Sequence, residues 1–309
     1  MGFFLDTGLY ASMLRTATPL VLGLAGCILC DRSGVVNVFI EGTMLTAAFC
    51  ASYSAAIYQN VWVGVCGAAL AGMFCGCIMS LLTVGLKANQ IVVGLGLNFI
   101  ALGITSMLFS LLMFDASGHQ LTSPPFGRWE IPYLGDIPVV GTLLFNQRPL
   151  LYIALLILGI EYWVLYYTHP GLILRSVGER AGVAYSQGIR VDLVRSISVI
   201  IGSTIMGIGG SYFALAEVTS FKPNLTAGRG FMGLAAMIAG KWNPILGLAA
   251  ALIFGFSGAL QWKLQVMRLP IPEKLPNMLP YIVTIIVLTG IIGKATPPGD
   301  LGNPFRREE

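Results

Sequence analysis

Asp31, Arg32, Asn37 and Glu41 crowd into one stretch, Asp31-Arg32-Ser33-Gly34-Val35-Val36-Asn37-Val38-Phe39-Ile40-Glu41-Gly42, that joins two apolar runs with almost no polar linker. Charges at membrane depth are costly unless paired or facing water. Irregular backbone survives there only inside protein or along a cavity. The stretch therefore reads as a surface turn with a snorkelling arginine, or as a broken element beside a solute path. A second polar set lies in Lys87–Asn98, where Gln90 and Asn98 stand roughly two turns apart on one helical face. Amides on an apolar helix either join helices or hydrogen-bond a passing polar solute. A third set runs from Ala227-Gly228-Arg229-Gly230-Phe231, through an apolar run, to Gly240-Lys241-Trp242-Asn243-Pro244. Asn is a favoured N-cap and Pro a favoured first helical residue, so a helix should begin at Pro244 directly after a short one. Such breaks present helix ends and backbone groups to a transport path; the alternative is a tight surface loop with Lys241 among headgroups. Asn37, Glu41, Gln90, Asn98, Arg229, Lys241 and Asn243 are the candidates for contact with a polar solute.

Catalytic chemistry finds no comparable support. The two histidines, His119 and His169, fall in different polar loops, and neither a metalloprotease H-E-x-x-H, nor a G-x-S-x-G, nor a phosphate-binding G-x-x-x-x-G-K-[ST] occurs. Without that last motif the chain does not bind ATP in the usual way, so energy for active transport must come from a partner or an ion gradient. Cys27 and Cys30 have C-x-x-C spacing but no second pair or nearby histidine; the six cysteines, all in or beside apolar runs, read as packing residues rather than metal ligands. Leu24-Ala25-Gly26-Cys27 mimics a lipoprotein cleavage site, but the first basic residue is Arg15, so residues 8–29 are expected to be a retained span.

The elements that must position these residues are membrane helices. Of 309 residues, 56% are hydrophobic and 10% charged, against about 25% charged in soluble domains; the mean hydropathy is +0.79. The solvent must be lipid, and the 38 glycines suit closely packed helices. No basic block could track a nucleic acid. Apolar runs of about 20 residues predict spans near 8–29, 42–59, 61–86, 91–113, 149–167, 194–217, 244–262 and 276–293. The run 230–240 is too short to cross. The expectation is an all-α bundle of about eight spans plus a re-entrant half-helix, in one domain. Residues 114–148 form a proline-broken loop, within which 137–145 reads as a short interfacial helix.

Residues 168–193 form a second polar stretch with Arg175, Arg180 and Arg190, placed in the cytoplasm by the positive-inside rule. Alternation then puts 114–148 outside, and Lys87 and Asp31-Arg32 inside. Charge leaves the carboxyl end open: if 230–240 dips in and returns, Lys294, Arg306 and Arg307 are inside; if 230–262 crosses once, the sides swap. The stretch Gly178–Gln187 is expected to form a short surface helix, with Glu179 and Arg180 toward a partner and Gly188 ending it. Its alternative is a solvated linker.

These segments together, D-R-S-G-V-V-N-V-F-I-E-G-T-M (31–44), K-A-N-Q-I-V-V-G-L-G-L-N (87–98), S-V-G-E-R-A-G-V-A-Y-S-Q-G-I (176–189), T-A-G-R-G-F-M-G-L-A-A-M-I-A-G-K-W-N-P (226–244) and M-L-P-Y-I-V-T (278–284), resemble the inner-membrane permeases of branched-chain amino acid, ribose and nucleoside ABC importers. The nearest resemblance is to the nucleoside and simple-sugar branch, which works with basic-membrane-protein-type binding lipoproteins. The resemblance implies a non-catalytic subunit of the inner membrane and no cofactor in this chain, ATP-Mg being held by a cytoplasmic ABC ATPase. It further implies a second homologous permease and an extracytoplasmic substrate-binding lipoprotein. The 169–193 loop would couple to the ATPase through Val177, Gly178, Glu179, Arg180, Ala184, Gly188 and Ile189. It puts the tail in the cytoplasm and favours a re-entrant 230–240. The implied solute is neutral and polar, a nucleoside first, with riboflavin or a simple sugar as alternatives; an ion-gradient-driven carrier is the rival class.

Overall fold

Small residues decide which helices meet. The computed structural model describes residues 7–115, 117–127, 129–130, 145–267, 272, 274–291 and 296–305. The chain folds into α1 (Thr7–Arg32), α2 (Ile40–Tyr58), α3 (Val61–Ser80, extended by a π turn Leu81–Gly85) and α4 (Gln90–Leu112). After a short antiparallel pair, β1 (Trp129–Glu130) with β2 (Asn146–Gln147), come α5 (Pro149–Tyr167), α6 (His169–Glu179) and α7 (Ala181–Ser186). The remainder is α8 (Val191–Tyr212, with a π turn Phe213–Glu217), α9 (Arg229–Ala239), α10 (Pro244–Val266) and α11 (Lys274–Ile286, with a π turn Val287–Ile291). The expected interfacial helix at 137–145 lies almost wholly outside the described residues.

α8 is the axis of the bundle and packs on α1, α2 and α3. A methyl at Gly26 or Gly202 would run into the other's carbonyl oxygen, and Gly72 and Gly207 abut so closely that a methyl on either would lie 2.9 Å from the other's Cα. In lipid, where there is no hydrophobic drive between helices, such close approach is what dispersion contacts require.

Six of the eight expected spans are helices long and apolar enough to cross a membrane: α1, α3 with its π turn, α4, α5, α8 with its π turn, and α10. The other two also form. α2 is rich in Ala, Ser and Thr and largely buried by its neighbours, so it need not be as apolar as a lipid-facing helix. α11 is short in its regular part. α4 is the reverse of α2, with 17% of its apolar window buried and Ile91, Val92, Leu95, Phe99 and Ile100 turned outward. α9 has 11 residues, which at ~1.5 Å each cover about half of a ~30 Å hydrocarbon layer.

The loops segregate to two ends. At one end lie 31–36, the start of α4, α6 and α7, the break after α9, and the carboxyl tail, which bonds to Gly178 and Gly34. At the other, residues 120–126 bond to Leu215, Thr219 and Phe221. The described part of the tail, 296–305, therefore shares an end with the 169–193 loop.

Candidate functional site: a capped half-helix and a helical corner

At the end of α1 the chain reverses at Gly34 (φ +92°), a left-handed position suited to glycine; a Cβ there would sit 2.7 Å from Arg195 Nη2. Residues 33–35 turn over the end of α1 through bonds to Cys30 and Asp31, and 36–38 then run back into the bundle before α2 begins. Buried backbone groups need partners, and three amides supply them. Gln90 Oε1 accepts from Val36 N (2.7 Å). Asn98 Oδ1 accepts from Gly42 N (2.7 Å) and its Nδ2 donates to Val38 O (2.9 Å). Asn37, wholly buried, accepts from Phe39 N (3.2 Å) and donates to Ser203 Oγ (3.1 Å). The segment is thus irregular backbone bonded inside the protein rather than a surface turn, and the shared face of Gln90 and Asn98 is used to grip it.

Glu41, in the first turn of α2, reaches the amino terminus of α9. Its Oε1 accepts from Thr226 Oγ1 (2.5 Å) and Gly228 N (2.7 Å), and its Oε2 from Gly230 N (2.8 Å). A helix start carries unpaired N–H groups and a partial positive charge, and a carboxylate answers both. Arg229 has the wrong sign for that place and is turned away. Its Nη1 meets both carboxylate oxygens of Glu217 (2.7 and 3.0 Å), its Nη2 and Nε donate to Leu225 O and Thr226 O, and its guanidinium lies 4.2 Å from the Phe213 ring centre. Beside this start, a cleft of about 310 Å³ opens between α1, α9, α10 and α11, edged by Arg229, Gln261, Trp262, Asn277 and Tyr281.

The other end of α9 breaks as the sequence predicts. Asn243 Oδ1 accepts from Ile245 N (2.9 Å) and Leu246 N (3.4 Å), and Pro244 opens α10. Lys241 and Trp242 both take φ +54°. Lys241 is exposed. Trp242 is buried: its indole N–H donates to Asp31 Oδ2 (2.9 Å), and its carbonyl oxygen accepts from Arg32 Nε (3.1 Å) and Nη2 (3.0 Å). The half-helix is pinned at both ends to the α1–α2 region. Trp242, inside the Gly-Lys-Trp-Asn-Pro run, was passed over as a site candidate, although an indole next to a break is a ready partner for a buried carboxylate.

At the corner of α6 and α7 the single helix expected over Gly178–Gln187 is divided at Arg180. The cause is distant in sequence: Asp300 enters the corner, its Oδ2 accepting from Ala181 N (2.5 Å) and its N–H donating to Gly178 O (2.9 Å). Gly188 (φ +82°) ends α7 as expected. Val177, Gly178 and Ala184 face inward and Ile189 is half-buried. Glu179, Arg180 and Gly188 are exposed, as are the apolar Val183 and Tyr185. Arg195, 2% exposed, was missed because it reads as one more loop arginine; it donates to Ser33 O (3.2 Å) and Asn303 O (2.7 Å). No cluster of three metal-ligating side chains occurs among the described residues.

The described residues form a bundle of long apolar helices with an interrupted helix, α9 to α10, and an exposed helical corner at one end. Residues 9–288 match the model of the family described as branched-chain amino acid transport system / permease component, and the chain belongs to that family. It is 36% identical over 307 residues to the guanosine ABC transporter permease protein NupQ of Bacillus subtilis, covering 94% of this chain and 93% of that one. It is also 36% identical over 299 residues to the nucleoside ABC transporter permease protein NupC of Lactococcus lactis, covering 93% of each. A solved inward-facing metal-chelate type ABC transporter shares the fold at a TM-score of 0.52 and 14% identity, over 91% of this chain and 85% of that one.

Proposed function

We propose that the chain is a non-catalytic permease subunit of an ABC importer of the inner membrane and that its cargo is a nucleoside. The observation that carries this reading is the 36% identity, along nearly the full chain, to the guanosine permease NupQ. The chemistry around the half-helix agrees with an uncharged solute: the carboxylate of Glu41 is taken up by N–H and O–H donors, and Arg229 by Glu217. Asn37, Glu41, Gln90, Asn98 and Asn243 shape the path by holding its broken backbone. The aromatic and amide side chains at the cleft, Trp262, Tyr281, Gln261 and Asn277, suit a ring-bearing polar solute. Solute would pass beside a second homologous permease, delivered by an extracytoplasmic binding lipoprotein. A cytoplasmic ATPase holding ATP-Mg would engage the α6–α7 corner, with Glu179 and Arg180 at its rim. The chain forms one domain in this reading.

The complete transporter in proteoliposomes should take up labelled guanosine only when ATP and the ATPase are present, with unlabelled nucleosides competing and amino acids not. A cysteine at Val183 should crosslink to the ATPase. Uptake by this chain alone under an ion gradient, or a binding protein that retains only an amino acid, would overturn the proposal.

A further inference from the structure

α7 has six residues, too few to be stable by themselves. Arg180 offers its amino terminus no side-chain cap, and Ala181 and Ala184 are its buried anchors. Its pose is set from outside, by residues 299–305. Asp300 supplies the missing cap at Ala181 N and bonds back to Gly178 O. Gly299 N donates to Glu179 Oε2 (3.3 Å), and a Cβ at Gly299 would come within 2.6 Å of Glu179 O, so the close seat needs a glycine. Phe305 closes over the inner face of α7, its ring 5.4 Å from that of Tyr185 and packed against the cluster of Val177, Ala181, Ala184 and Val191.

The same residues hold the membrane side. Gly302 N donates to Gly34 O (3.1 Å), and Asn303 O accepts from Arg195, which also bonds Ser33 O. One short strand of chain thus ties the α6–α7 corner to the Gly34 turn. That turn begins the broken segment leading through Asn37 to Glu41, and hence to the start of α9.

We propose that residues 299–305 form a strap that positions α7 against the ATPase and carries its displacement to the Gly34 turn, with Asp300 as the positioning residue. The inference rests on the reading that α7 meets the ATPase. Losing an N-cap costs ~1 kcal/mol, a factor of about five in the equilibrium of the capped form. In the assembled transporter, Asp300→Ala should lower solute moved per ATP hydrolysed by about fivefold, with Val183Cys crosslinking to the ATPase weakened in step. Asp300→Asn keeps an oxygen for Ala181 N and should retain most of the ratio. Should Asp300→Ala prevent assembly, Phe305→Ala, which removes only the ring over α7, is measured in the same way and should also lower the ratio. A wild-type ratio with crosslinking intact, in Asp300→Ala or in Phe305→Ala where that variant is used, overturns the strap while leaving α7 as the contact. Failure of Val183Cys to crosslink in the otherwise unaltered chain instead overturns the reading of α7 on which the strap depends.

Discussion

Glu41 holds three donors at the start of α9, and nothing else in the described residues takes that place. Glu41→Ala would orphan one buried and one half-buried N–H group and a hydroxyl, at about 1–3 kcal/mol for each buried group left unsatisfied. A drop in thermal unfolding temperature in detergent should be read for Glu41→Ala, with Glu41→Gln intermediate because it keeps one acceptor oxygen. An unchanged unfolding temperature in Glu41→Ala would count against the cap. The residue types at this site were legible in the sequence, but their partners were not. Asn243 and Pro244 announce a helix start because their bonds are to the next residues along. Glu41 bonds to Gly228, 187 positions away, and no local pattern encodes that pairing. Arg195 was hidden for the opposite reason: it stands among other arginines whose solvated role it does not share.

At the scale of elements, the half-helix is held by hydrogen bonds at both ends and along its flank by Met232, Ala236 and Met237 in the core. Trp242 anchors the α10 end of the half-helix through Asp31, whose Oδ1 makes no hydrogen bond among the described residues. Trp242→Phe would keep the ring and remove the one side-chain donor to that carboxylate, at about 1–3 kcal/mol for a buried acceptor left unpaired. The expected outcome is a lower unfolding temperature and faster proteolysis near Gly240; a variant as stable as the parent would mean the indole N–H is dispensable. The spans could be read from apolar runs because each long run needs no partner to be recognised as helix. α2 tests that rule, since its burial comes from neighbours and its composition is correspondingly mixed. The division of α6 from α7 was not legible, because Asp300 acts from 119 residues away.

For the whole molecule, the grouping of loops at two ends makes a topological statement. In a cysteine-free background, new cysteines at the exposed Gly182 and Pro304 should be modified by an impermeant thiol reagent from the same side of intact vesicles, and one at Ser117 from the opposite side. Labelling of Gly182Cys and Ser117Cys from one side would contradict the arrangement. The charge pattern assigns a side to the 168–193 stretch and leaves the tail open; the bonds of Asp300 to Gly178 and of Gly302 to Gly34 put tail and stretch at one end. The burial of Glu41 bears finally on how the assembly meets a changing bath. Mobile ions screen only charges they can approach, and this carboxylate is answered by fixed dipoles inside the protein. The seat of the half-helix will therefore hold equally in brine and in dilute buffer.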